Sequence, residues 1–254
     1  MSLKADLFGN KVTIGSWLTL AHSSIAELMA RTNGFDWLVI DMEHSVIELR
    51  EAQEMIQAIE LYGVTPLVRL TSNNEDLIKR VMDAGAHGVV VPLVNSKEDA
   101  ERAVRSVYYP PNGTRGTGLA RVQGYGASFA TYRQWLEDNG VVIVMIEHIQ
   151  AVDNIEQILA VPGVDGFIIG PYDLSASLGV PGEFENPTLI DAIEKISVIG
   201  KSVGIPGGIH VVEPNLELLK HYMDLGFTFI GYGMDIRFLD TICRDHLRKI
   251  KTLR

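Results

Sequence analysis

At 254 residues, with 46% hydrophobic and 21% charged residues, the chain has the length and composition to bury a large core as one globular domain. A net charge of -10 argues against nucleic acid as a partner, no apolar run approaches the roughly 20 residues that span a bilayer, and the leading MSLKADLFGN lacks an apolar signal region. The single cysteine, Cys243, excludes an internal disulfide and a thiolate metal cluster, and this usage fits a cytoplasmic location.

Eight apolar, β-prone runs succeed one another along the chain. The first is Val12–Leu20, and the second, Trp37–Ile40, exits into Asp41-Met42-Glu43-His44. A helix over Ile47–Tyr62 places Ile47, Ala52, Met55, Ile56 and Ile59 near one face. The third run, Thr65–Leu70, carries Arg69 near its end, and a Ser-Asn-Asn cap signal then starts a helix over Asn74–Ala84 with Leu77, Ile78, Val81 and Met82 as its buried stripe. The fourth run is Gly88–Val94. After it comes a glycine-rich stretch from Tyr108 to Gly118, extended by Gly124 and Gly126, too long for a simple connector and expected to form a lid or an interface arm.

The fifth run, Val141–Ile146, is unbroken and ends in Glu147-His148. The sixth, Gly166–Ile169, stops at Gly170-Pro171 and delivers Asp173. The seventh and eighth are Val203–Ile209 and Phe227–Tyr232, followed by His210 and Asp235. Unbroken apolar strands alternating with helices imply a parallel sheet buried on both faces, and eight of them imply an α/β fold closed as a (β/α)₈ TIM barrel. The whole chain, 1–254, then forms one barrel domain. Residues 236–254 are left as an extra C-terminal helix, whose stripe Leu239, Ile242, Cys243, Leu247 and Ile250 must cover its own barrel or a neighbouring subunit.

Reactive groups of such barrels sit at the C-terminal ends of strands, and Asp41, Glu43, His44, Arg69, Glu147, Asp173 and Asp235 all fall there. Glu147 and Asp173 offer hard oxygen donors suited to Mg²⁺ or Mn²⁺, with Co²⁺ or Zn²⁺ as other occupants; spacing alone serves metal ligation and pairing with backbone N–H groups or arginine equally. Arg69 suits a carboxylate, a 2-keto acid or a developing enolate, and equally a staple between strand ends. His44 beside Asp41 suits an acid/base role, although a lone histidine is more commonly a cap or a core residue. The Gly207-Gly208 and Gly231-Tyr232-Gly233 exits suit tight turns better than a phosphate site. No lysine stands at the C-terminal end of an expected strand, so a Schiff-base mechanism is not indicated.

With these residues in place, the chain resembles the HpcH/HpaI family of metal-dependent pyruvate aldolases, related to the citrate lyase β-subunit. The resemblance runs from about Gly15 to Asp235. It rests on Phe35-Asp36-Trp37-Leu38-Val39-Ile40-Asp41-Met42-Glu43-His44, Pro66-Leu67-Val68-Arg69, Asp83-Ala84-Gly85-Ala86-His87-Gly88-Val89-Val90-Val91-Pro92, Tyr109-Pro110-Pro111 with Arg115-Gly116, and Ile169-Gly170-Pro171-Tyr172-Asp173-Leu174-Ser175. It implies reversible cleavage of a 4-hydroxy-2-keto acid to pyruvate and an aldehyde. By motif position it implies Glu147 and Asp173 as metal ligands, Arg69 as the group that binds the keto acid and steadies the enolate, and His44 with Asp41 as an acid/base dyad. It further implies that the Gly170, Pro171 and Tyr172 turn receives the carboxylate, that Asp83 reaches a neighbouring subunit's site, and that the chain forms a homo-oligomer, a hexamer in most members, with the last helix exchanged.

Four departures bear on the aldehyde: Met145 and His87 where many members carry Gln, Tyr172 where many carry Ala, and the segment 118–126. A citrate synthase or citryl-type CoA-ester lyase is the alternative on the same barrel, and a non-catalytic binding protein ranks below both.

Overall fold

In the computed structural model, which describes residues 2–253, eight parallel strands close into a barrel in sequence order. They are β1 (Thr13–Leu18), β2 (Trp37–Asp41), β3 (Thr65–Arg69), β4 (Gly88–Val91), β5 (Val141–Ile146), β6 (Gly166–Ile169), β7 (Gly207–Val211) and β8 (Phe229–Met234). The helices are α1 (Leu3–Phe8), α2 (Ser23–Ala30), α3 (Leu49–Glu60), α4 (Glu75–Ala84), α5 (Lys97–Val107), α6 (Phe129–Asn139), α7 (Ile149–Asp153), α8 (Ile155–Leu159), α9 (Pro171–Ser177), α10 (Pro187–Val203), α11 (Leu216–Asp224) and α12 (Asp235–Lys251). The TIM barrel with an added C-terminal helix is the architecture that the strand–helix alternation predicts.

Two apolar layers hold it. Between barrel and helices lies a large cluster to which α3 contributes Ala52, Met55, Ile56 and Ile59, and α4 contributes Ile78, Val81 and Met82. The α4 cap forms as its sequence predicts: Asn74 Oδ1 accepts from the Leu77 N–H at 3.0 Å, and Gly85 closes the helix at φ 117°. Inside the barrel, Trp37 stacks on Phe229 with ring centroids 4.0 Å apart and meets Trp17 edge-on at 5.8 Å. This aromatic floor depends on Gly15, where a Cβ would lie 2.0 Å from Trp37 Cδ2.

Helix α1 has no counterpart in the sequence expectations. Its Leu3 and Leu7 join the barrel-interior cluster, and Lys4 Nζ reaches Asp165 at 3.0 Å and the Gly140 carbonyl at 3.1 Å. The amino-terminal mouth is thereby plugged. Leu7 is fully buried, so Leu7→Ala should lower stability by about 2–5 kcal/mol. Urea unfolding would read this as a lower midpoint at constant slope.

Three expectations need correction. The seventh run was placed over Val203–Ile209, but Val203 ends α10, Gly204 caps it at φ 76°, and pairing begins at Gly207. A β-branched residue before Gly-Ile mimics a strand start there while belonging to the helical stripe. The Gly207-Gly208 pair of β7 is a packing position rather than a turn: a Cβ at Gly207 would lie 2.6 Å from Phe167 Cζ, and one at Gly208 would lie 2.3 Å from the Phe229 carbonyl.

The glycine-rich excursion between α5 and α6 is also no lid over this chain's own strand-end cavity. Arg121 Nη1 reaches the Ala84 carbonyl at 3.1 Å and Nη2 reaches Glu60 at 2.5 Å, which tethers it to the ends of α3 and α4 at the opposite rim. Leu119 and Tyr125 point outward and are exposed.

The α12 stripe lies open on this chain: Leu239, Ile242 and Leu247 are each close to 60% exposed, so the barrel itself does not cover them. No helix among the described residues is long and apolar enough to cross a membrane.

Candidate active site

Pairing of β2 with β3 sets Asp41 directly opposite Arg69. The two close a bidentate ion pair, Nε to Oδ1 at 2.9 Å and Nη2 to Oδ2 at 2.5 Å. Asp41 is fully buried, and its Oδ1 also accepts from the backbone N–H groups of Glu43 at 3.0 Å and His44 at 3.2 Å. Burial opposes the charge on Arg69, but the Asp41 contact and the nearby Glu43 and Glu147 carboxylates outweigh it and hold the guanidinium pKa above its ordinary value. A fixed cation thus faces the C-terminal end of the barrel, its Nη1 left over from the Asp41 pair and 3.5 Å from Glu43 Oε2.

Across the rim stand Glu147, at the exit of β5, and Asp173, in the first turn of α9. Glu147 Oε1 accepts from the Leu93 N–H at 2.7 Å. Leu93 holds φ 52°, a left-handed conformation that β-carbon sterics disfavour by roughly 1–2 kcal/mol. Gly170 makes room for the acid, since a Cβ there would lie 2.9 Å from Glu147 Oε2. Burial pushes Glu147 and Glu43 each up to about 7. The Leu93 N–H and Arg69 oppose it at Glu147 while Glu43 and Asp173 add to it, and Arg69 opposes it at Glu43 while Asp41 and Asp173 add to it. Buried Glu43 Oε2 has no hydrogen-bond partner.

These carboxylates crowd one rim, and one buried oxygen among them has no hydrogen-bond partner. That donor set fits a hard divalent cation: Glu147 and Asp173 as ligands, Glu43 beside them. Among the described residues no three His, Cys, Asp or Glu side chains group as a metal cluster, so this chain would supply two ligands, Glu147 and Asp173.

Arg69, Asp41, Asp173 and the Gly170-Pro171-Tyr172 turn line one cavity of about 610 Å³, together with His44, Met145, Trp17 and His210. Tyr172 stands half-exposed at its mouth, edge-on to Phe184 at 4.7 Å. The His44 ring is exposed, and its nearest carboxylate is Glu43 at 3.9 Å. Asp41 therefore holds the loop that carries His44 through the backbone, and not the imidazole as the dyad expectation had it.

Asp83 is not brought into this cavity: it sits on α4 and pairs with Arg115. Asp235, expected among the reactive acids, is spent on structure and accepts from the N–H groups of Thr19, Leu20 and Ile236 at 2.8 Å each. His148 caps α7 through Nδ1 at 3.1 Å, and His87 faces Glu60 at 3.4 Å on the far rim, as its position before β4 predicts. Sequence reasoning left Glu43 without a role, although its place in Asp41-x-Glu43-His44 was the available signal. Nothing in the sequence marks Leu93.

Fold and site together define a barrel of the enzyme type, with acids and an arginine gathered on its strand-end rim. The chain belongs to the HpcH/HpaI aldolase/citrate lyase family, whose profile matches residues 13–240. A 2-dehydro-3,6-dideoxy-6-sulfogluconate aldolase of Pseudomonas putida is 38% identical over 94% of this chain and 92% of its own. A 4-hydroxy-2-oxo-heptane-1,7-dioate aldolase of Shigella flexneri is 40% identical over 94% and 88%. The crystal structure of a family protein from Burkholderia cenocepacia J2315 superposes with a TM-score of 0.92 at 33% identity, covering 98% of each chain. The protein is a carbon–carbon lyase of the aldolase type.

Proposed function

We propose that this enzyme uses a divalent metal, Mg²⁺ or Mn²⁺, to cleave a 4-hydroxy-2-keto acid reversibly into pyruvate, or a close 2-keto acid, and an aldehyde. The observation that carries this is the opposition, on one rim, of the Glu147/Asp173 pair and the Asp41-fixed guanidinium of Arg69. A cation held by the two acids would draw electron density from the keto oxygen and so favour the enolate. Arg69 Nη1 donates to that oxygen as negative charge builds on it. The N–H groups in the first turn of α9, at Tyr172 and Asp173, lack intrahelical partners and receive the substrate carboxylate.

As the C3–C4 bond breaks, its electron pair passes to the C2–C3 enolate and C4 becomes the aldehyde carbonyl. The 4-hydroxyl proton leaves to His44, directly or through water, and protonation at C3 then gives pyruvate. His44→Ala should therefore reduce cleavage of a good 4-hydroxy-2-keto acid about 10²–10⁴-fold. Unchanged cleavage in a steady-state assay would remove His44 from the mechanism.

The relatives carry aldolase names with different substrates, so the aldehyde is this chain's own question; the citrate-type alternative would require turnover of oxaloacetate with acetyl-CoA. The open α12 stripe supports a homo-oligomer, with a hexamer as the proposed state and Asp83 serving a neighbouring site.

A further inference from the structure

One wall of the cavity has no part in the chemistry above. His210, on β7, lies flat against Trp17 of β1, with ring centroids 4.3 Å apart and planes 15° from parallel. Gly231 on β8 clears the space: a Cβ there would lie 2.6 Å from Trp17 Cζ3 and 3.0 Å from His210 Cδ2. His210 Nε2 is 2.9 Å from the Gly233 carbonyl. A carbonyl only accepts, so Nε2 carries the proton, and in the neutral ring Nδ1 holds a lone pair. No described protein group bonds to Nδ1, and His210 keeps part of its surface open to the cavity.

The ring stays neutral at working pH. Burial pushes its pKa down to about 4; the Gly233 contact opposes this, Arg69 adds to it and Asp41 opposes it. Trp17, also on the cavity wall, has a buried indole N–H without a partner. That N–H is closed off from the cavity, so the stacked pair presents one acceptor to it, His210 Nδ1, in an otherwise largely apolar wall.

Resting on the aldolase reading, we infer that His210, held flat by Trp17, accepts a hydrogen bond from a hydroxyl group carried by the substrate and sets a preference for hydroxylated over deoxy substrates. A hydroxyl donates to the Nδ1 lone pair, and a methyl group in its place leaves that acceptor unpaired. The hydroxyl can belong to the 2-keto acid or to the aldehyde, and paired substrates separate the two: hydroxypyruvate against pyruvate with one aldehyde, and glycolaldehyde against acetaldehyde with pyruvate.

In one of these pairs the wild-type kcat/KM ratio should favour the hydroxylated member. His210→Gln keeps a donor near the Gly233 carbonyl but has no acceptor in place of Nδ1, and the ratio should fall about tenfold. His210→Asn retains an acceptor near Nδ1, and its ratio should stay within about threefold of wild type. NMR titration of Mg²⁺-loaded protein with hydroxypyruvate and with pyruvate reads the keto-acid arm without turnover. Both ratios unmoved in His210→Gln, or hydroxylated and deoxy substrates falling by the same factor, would overturn the inference. Wild-type exchange of the pyruvate methyl protons separates the two failures. Without exchange the aldolase reading fails and this one with it; exchange with both ratios unmoved contradicts His210 alone.

Discussion

Arg69→Ala is expected to reduce turnover at least about 10³-fold, and also to destabilise the protein by about 3–5 kcal/mol. The two effects share one cause. Asp41 is fully buried, and Arg69 supplies two of its charge-assisted hydrogen bonds; without them a carboxylate remains in the barrel with only the Glu43 and His44 amides and the neighbouring Glu43 charge. Arg69→Lys restores a positive charge but not the two-point contact, so part of the stability should return while activity stays low. Arg69→Leu combined with Asp41→Leu removes the buried charges together and should regain stability with no turnover. If Arg69→Ala unfolded at the wild-type urea midpoint, the ion pair would not hold this rim together.

The second large effect is a trade between metal affinity and stability at Glu147. Folding lifts this carboxyl from 4.5 to about 7, so the folded, metal-free protein binds the proton more tightly than the unfolded chain does. Between about pH 4.5 and pH 7 the native state holds more protons, and its stability must therefore fall as pH rises through that window. Glu43, also lifted to about 7, adds to the same slope.

Glu147→Gln keeps an oxygen for the Leu93 N–H and removes the ionisation. Above pH 7 the metal-free variant should be more stable than wild type by about 1–3 kcal/mol, a bound that follows from converting the shift and allowing for solvent screening. Its affinity for Mn²⁺ should fall about 100-fold or more, and wild-type affinity should rise through pH 7 as the proton departs. Calorimetric titration of Mn²⁺ and urea unfolding with and without EDTA read both effects. Equal Mn²⁺ affinity in variant and wild type would reject Glu147 as a ligand.

The barrel was legible because its strands are buried on both faces. Runs such as Val141–Ile146 and Gly166–Ile169 have few other readings, and their ends carry the acids. The convergence of acids, His44 and Arg69 on one rim followed from that. What escaped depends on contacts between segments distant in sequence. Helix α1 is six residues long, and only the open mouth of the barrel explains it.

Asp235 has the sequence context of a rim acid, but the Thr19 and Leu20 amides, over 200 residues away in the chain, claim it. The Asp41–His44 dyad was read from adjacency, whereas strand register gives the Asp41 carboxylate to Arg69. Neither the strained Leu93 amide that holds Glu147 nor the stacking of His210 on Trp17 leaves a trace in local pattern.

The enolate is the point on which the function turns, and exchange of the pyruvate methyl protons in D₂O, followed by NMR, tests it without knowledge of the aldehyde. EDTA-treated enzyme should be silent, added Mg²⁺ or Mn²⁺ should restore exchange, and Glu147→Gln should abolish it at the same metal concentration. Exchange that proceeds equally in EDTA, or that persists undiminished in Glu147→Gln, would contradict a metal-dependent pyruvate aldolase.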